Sequence, residues 1–151
     1  MKKISIPMFS IIIIIFIASI VISKNLGNEA KPNSQQAISR IEAFVEGINY
    51  NNPEVIYEHL LKEYQDIMKK DEFAAHWNKE RSYPYLTPLF IYVEDITFSQ
   101  GFLEGEVRSV VAARLPGEYM YFTFKWQEDN YYIDAFSEII DGSYLEKFDK
   151  L

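Results

Sequence analysis

Phe102-Leu103-Glu104-Gly105-Glu106-Val107-Arg108-Ser109-Val110-Val111-Ala112-Ala113-Arg114-Leu115 is the stretch whose periodicity decides the fold class. Leu103, Val107, Val111, Ala113 and Leu115 fall on one parity, and Glu104, Glu106, Arg108 and Arg114 on the other. A period of two over this length describes a strand with one buried face and one wet face. Glu104 and Glu106, on the wet side, are expected to be solvated charges protecting a sheet edge.

The same period continues outward in both directions. Tyr119 to Gln127 places Met120, Phe122, Phe124 and Trp126 inward and Thr123, Lys125 and Gln127 outward. Leu115-Pro116-Gly117-Glu118 connects it to the strand before, and Glu128-Asp129-Asn130 turns it into a last short strand, Tyr131 to Phe136. Upstream, Leu89, Ile91 and Val93 share one parity while Ile96 and Phe98 take the other. A bulge at Glu94-Asp95 restores the register and bends the sheet. Gly142-Ser143 belongs to a polar, tail-like end.

Before Pro88 the period is helical. Ile38, Ile41, Val45 and Ile48 mark a first helix from Ser34 to Tyr50, with Asn33 as its N-cap and Gln36 at the capping-box position. Asn52 and Pro53 then start a second helix that is expected to bury Ile56, Leu60, Tyr64 and Ile67. Asp71 is the expected cap of a third, which carries Phe73 and Trp77 and ends before Pro84. Two or three helices followed by about four antiparallel strands make an α+β domain, helices on one face of a curved sheet.

The chain has 151 residues, and its first 23 read differently. Lys2 and Lys3 precede the uncharged run Ile4 to Ile22, centred on five consecutive isoleucines. Nineteen helical residues span about 28 Å, close to the bilayer hydrocarbon thickness. Lysines on the short side keep that end in the cytoplasm. The expected organisation is therefore a single-pass membrane anchor or signal segment at 1–23, a polar linker at 24–33 and an exported α+β domain at 34–151. Cleavage after Val21-Ile22-Ser23, releasing a secreted form, is the alternative. Setting Lys2 and Lys3 aside leaves 13 basic against 22 acidic residues from Lys24 to Leu151, a net charge of −9. Such a balance argues against nucleic acid as a partner, because phosphate affinity needs clustered cations. The absence of cysteine removes disulfides, thiol nucleophiles and lipidation at cysteine together.

Two segments carry a resemblance. Asn51-Asn52-Pro53-Glu54-Val55-Ile56-Tyr57-Glu58-His59-Leu60-Leu61 followed by Lys70-Asp71-Glu72-Phe73 resembles the helical opening of the nuclear-transport-factor-2-like (cystatin-like cone) superfamily. Met120 to Lys125 with Glu128 to Asp134 resembles its last hairpin. The chain is similar in particular to the small non-catalytic domain of methicillin-resistance penicillin-binding proteins, from Ser34 to about Asp141. The resemblance implies a cone in which the sheet curls around the first helix. No transpeptidase sequence follows Leu151, so a binding or scaffold role at the cell envelope is expected.

Catalytic and metal chemistry is thinly represented. His59 and His76 are the only histidines and lie on different helices. The acidic pairs Glu94-Asp95, Glu104/Glu106 and Glu128-Asp129 lack the Asp-x-Asp-x-Asp-Gly frame of a calcium loop. No metal, cofactor or catalytic residue is expected. Because the resembling superfamily includes isomerases and hydrolyases, the enzymatic alternative would use Asp134, between Tyr132 and Phe136, with His76 or a tyrosine as partner. A component of a secretion or conjugation assembly is a third alternative. In the cone, Leu103, Val107, Val111, Phe122, Phe124 and Trp126 would form the concave wall, closed by Phe73 and Trp77. The proline-broken Tyr83 to Leu89 segment would then form its rim. Trp77, Tyr83, Tyr85 and Trp126 are thus the candidate binding residues, for a protein, a peptide or a small apolar ligand at the envelope.

Overall fold

A computed structural model describes residues 30–82, 90–112 and 118–150, with backbone alone for 147–150. The expected anchor at 1–23, most of the linker, the Tyr83 to Leu89 segment and the connection at 113–117 lie outside the described residues. Among the described residues no helix is long and apolar enough to cross a membrane.

Helix α1 (Ser34–Asn49) begins where expected: the backbone N–H of Gln36 donates to Asn33 Oδ1 at 2.9 Å. Its buried stripe is Ala37, Ile41, Phe44, Val45, Gly47 and Ile48. Ile38 is only half-buried, because Phe44 takes the centre of the face, against Phe122 at 5.3 Å and Phe136 at 5.9 Å between ring centroids. Helix α2 (Pro53–His59) starts with Asn52 Oδ1 accepting from Val55 N–H at 3.3 Å.

The second helix does not run on to Ile67. It stops at His59, and α3 (Lys62–Ile67) resumes after Leu60 and Leu61 have left the helix. There Leu60 bridges Ile133, and the N–H of Leu61 donates to the Ile133 carbonyl at 3.0 Å. An edge carbonyl that would lack a partner is satisfied by the break. Gln65 Nε2 stitches the interruption, donating to the carbonyls of Leu60 at 2.9 Å and Tyr57 at 3.1 Å. The shift exposes Ile67 (69 %) and buries Met68 in its place. Helix α4 (Lys70–Arg81) carries buried Phe73 and Trp77, but its N-cap is Lys69, without a side-chain cap; Asp71 sits inside the first turn.

Strands β1 (Ile91–Phe98), β2 (Glu104–Val111), β3 (Tyr119–Gln127) and β4 (Asn130–Asp134) form one antiparallel sheet in the order β1-β2-β3-β4. The architecture is therefore α+β, with helices and a four-stranded antiparallel sheet. The register slips between Val93 and Asp95, which leaves Glu94 as the extra residue and keeps Ile91, Val93, Ile96 and Phe98 on the inner side. Two consequences differ from expectation. Glu104 and Glu106 lie on β2, an inner strand of the sheet, so edge protection is not their role. Leu103 precedes β2 and is 55 % exposed, and the inward place at that end belongs to Gly105. A Cβ on Gly105 would collide with the Thr97 carbonyl oxygen and the Phe124 ring, which meets Phe98 edge-on at 5.5 Å.

The chain beyond β4 is no polar tail. A left-handed Phe136 leads into α5 (Ser137–Ile140), which buries Ile139 and Ile140, and a 3₁₀ segment (Ser143–Lys150) inserts Tyr144 into the core.

Candidate functional site

The inner face of the sheet is filled, and the outer face is where unusual side chains accumulate. Antiparallel register sets them in cross-strand rows: Tyr92, Val110 and Tyr119; then Asp95, Arg108 and Tyr121; then Thr97, Glu106, Thr123 and Asp134; then Glu104, Lys125 and Tyr132. Tyr92 and Tyr121 are each 57 % exposed, Tyr119 43 % and Phe90 38 %. Phe90 meets Tyr92 at 5.0 Å and Tyr119 meets Tyr121 at 6.3 Å between centroids. Using the usual aromatic side-chain areas, the four present roughly 300–400 Å² to solvent, the scale at which a patch is commonly functional.

The bulge serves this surface. The extra residue, Glu94, accepts from Arg108 Nε at 2.9 Å. That ion pair holds the guanidinium carbon 5.6 Å from the Tyr119 ring centre. Beyond Arg108 the aromatic rows give way to an open hollow of about 430 Å³ at Gly105, with Thr97, Glu104, Glu106, Thr123 and Lys125 around it. Chemically this face offers contact area, phenolic hydroxyls and carboxylates.

Of the residues singled out from sequence, Trp77 and Trp126 lie away from this face. Trp77 is wholly enclosed; its Nε1–H donates to Asn51 Oδ1 at 2.8 Å, and its ring meets Phe136 edge-on at 5.0 Å. Trp126 is half-buried against Tyr131, 4.9 Å between centroids. The two tryptophans thus pack on different partners, and Tyr83 and Tyr85 lie outside the described residues. Of the enzymatic pair, Asp134 Oδ1 accepts from Tyr64 O–H at 2.6 Å, while His76 packs against Tyr144 at 5.2 Å. Burial, then the hydrogen bond to Asp134, push the Tyr64 phenol above its ordinary range. Neither Asp134 nor Tyr64 lines the hollow at Gly105.

His59 is buried, with Nδ1 2.7 Å from the Val55 carbonyl, which makes Nδ1 the protonated nitrogen of the neutral ring. Burial pulls its pKa below the ordinary value, a shift the Val55 hydrogen bond partly opposes. Among the described residues no three His, Asp or Glu side chains gather as ligands for one metal ion.

The outer-face tyrosines were within reach of sequence reasoning: Tyr119 and Tyr121 share the parity of Thr123 and Lys125. The signal was aromatic residues on a polar parity, which packing does not require. No protein-family model matches the chain, and no curated protein sequence matches it.

Proposed function

We propose that this protein is a membrane-anchored, extracytoplasmic binding or scaffold domain of the nuclear-transport-factor-2-like kind, non-catalytic, which docks another protein on the outer face of its sheet. The observation that carries this reading is the exposed aromatic surface of Phe90, Tyr92, Tyr119 and Tyr121 on the outer side of β1 to β3. A pocket enzyme would instead converge polar groups on an enclosed cavity. The order of helices, then four antiparallel strands with a bulge in the first, supports the superfamily reading. The uncharged Ile4 to Ile22 run behind Lys2 and Lys3 supports the anchor and its orientation. A role in a secretion or conjugation assembly is the second reading, favoured by the same exposed aromatic side chains.

The chain lacks cysteine, so a single Glu118→Cys substitution beside Tyr119 gives a clean reporter. A membrane-impermeant maleimide should label it in intact cells, and more slowly there than in the purified full chain, where no partner shields the face. Labelling only after lysis would overturn export, and equal rates in cells and in purified protein would overturn docking at this face.

A further inference from the structure

We infer that the partner presents a short basic segment, apolar at one end and carrying Lys or Arg at the other, laid along the β2–β3 seam. The inference rests on the docking reading above and names its chemistry.

The face changes character along its length. The first row is apolar and aromatic, the second sets Tyr121 beside Asp95 and Arg108, and the last two are polar with an open hollow between them. Successive outward residues on a strand are about 6.8 Å apart, so Tyr119 to Lys125 measures about 20 Å, the span of six or seven extended residues. Across this surface Glu94, Asp95, Glu104 and Glu106 stand against Arg108 and Lys125, and Arg108 is already engaged by Glu94. The chain from Lys24 to Leu151 is acidic as well, with a net charge of −9. The local and the global field therefore select the same sign of partner.

Arg108 shows how a cation is received. One guanidinium lies between a carboxylate at 2.9 Å and a tyrosine ring at 5.6 Å. Tyr121 and Tyr92 repeat the ring, Asp95 and Glu106 repeat the carboxylate, and the register sets Asp95 and Tyr121 in the row of Arg108. The hollow of about 430 Å³ at Gly105 takes the aliphatic stem of a long side chain, with Glu104 and Glu106 placed to meet its charged end. Carboxylates on the outer face of an inner strand have no edge to protect, and a cationic partner gives them a function. The sheet edges are poorer docking sites. β1 is closed at Ile91 by the Asn49 side chain, and β4 at Ile133 by Leu60 and Leu61.

The test uses the full chain in phosphatidylcholine nanodiscs and two fluorescent nine-residue peptides. They share one Trp- and Leu-containing half, and the other half carries three Arg or three Glu; binding is read by anisotropy. The Arg peptide should bind with an affinity that falls as salt rises, and the Glu peptide at least tenfold more weakly. Glu104→Gln with Glu106→Gln should weaken the Arg peptide at least threefold and flatten its salt dependence. Glu42→Gln with Glu46→Gln, the same charge change on exposed positions of α1, should not. Tyr92→Ala with Tyr121→Ala should cost tenfold or more for the Arg peptide. Equal effects of the two Glu→Gln pairs, or tighter binding of the Glu peptide, would overturn the basic partner. If the tyrosine pair still weakened either peptide, docking on the face would stand; if it weakened neither, the docking reading itself would fall.

Discussion

Replacing Asn49 with alanine removes a side chain that works as a fragment of a strand. Asn49 Nδ2 donates to the Ile91 carbonyl at 3.0 Å, and Asn49 Oδ1 accepts from the Ile91 N–H at 2.8 Å. Ile91 is the first residue of an edge strand and is fully buried, so both its peptide groups point at the amide and away from water. Stripping two buried peptide groups of their partners costs about 1–3 kcal/mol each. Alanine's better helix propensity returns at most about 0.7 kcal/mol at the end of α1. The net loss is therefore about 2–5 kcal/mol, a large share of the 5–15 kcal/mol typical of a domain. With a urea slope of about 1–3 kcal/mol/M, the unfolding midpoint should fall by about 1–2 M with the slope unchanged. Asn49→Asp keeps the acceptor but turns a carboxylate oxygen on the Ile91 carbonyl, and it should lose at least as much. In both variants hydrogen exchange at the Ile91 amide should accelerate more than at core amides of β2 and β3. Midpoints within about 0.3 M of the wild type for both variants would show that water replaces the amide without cost, and the edge-closing role of Asn49 would have to be abandoned.

Two further outcomes follow from local geometry. Glu128 and Asp129 have φ of 48° and 62°, the left-handed pair of a two-residue hairpin turn, where Asn-Gly is the favoured sequence. Glu128→Asn with Asp129→Gly should stabilise by about 1 kcal/mol and raise the thermal midpoint by about 3–6 °C, because the exposed 3.8 Å pair with Lys62 contributes little. His59 is held neutral by burial, its folded pKa below the ordinary 6.5. Above pH 6.5 neither state gains a proton there, and its contribution is fully present. As the pH falls through 6.5 toward the lower folded value, the unfolded state takes up the proton first and stability is lost. The stability difference between wild type and His59→Gln, from urea titrations at pH 5 to 8, should be constant above pH 6.5 and move against the wild type below it; a flat difference over the whole range would remove His59 from the acid response.

Much of the fold was legible because local chemistry and tertiary demand agree. Asn33, Asn52 and Pro53 are placed by capping rules alone, and a bulge at Glu94-Asp95 follows because only one extra residue reconciles Val93 with Ile96. Where they disagree, the sequence misleads. Leu60 and Leu61 continue a helical apolar stripe, but an open carbonyl at Ile133 on a strand seventy residues away captures them. Nothing local announces that capture. Leu103 has the right parity and no cover, since the strand begins one residue later. Tyr144 sits beside polar residues and was passed over, although burial lifts its phenol pKa, as does the nearby Glu80 charge. The site was less legible than the fold. Trp77 drew notice as a large aromatic near a proline-rich segment, yet its one polar atom is satisfied inside by Asn51. Tyr119 and Tyr121 stand on a polar parity that the sequence shows, but their company with Tyr92 depends on strand pairing across β2.

The location of the proposed docking surface is supported by what the rest of the described residues already satisfy. The inner face of the sheet is committed to Phe44 and its neighbours on α1, and a gap there is denied even to a methyl group at Gly105. The β4 edge is held at Ile133 by the helix break, and Tyr132, on the outer side of β4, is covered by Arg40 at 5.7 Å and Lys62 at 4.8 Å from its ring centre. Arg40 also donates to the carbonyls of Tyr131 and Glu58, so that cover is tied to the helices. On the outer side of β1 to β3, among the described residues, the cation over a ring is Arg108, supplied by the sheet itself and anchored by the bulge residue. The exposed aromatic area on this side is what the proposed partner would cover. The geometry of β4 shows what that cover looks like when it is internal, a basic side chain laid flat over a tyrosine. On β1 to β3 the proposed partner would supply the same chemistry.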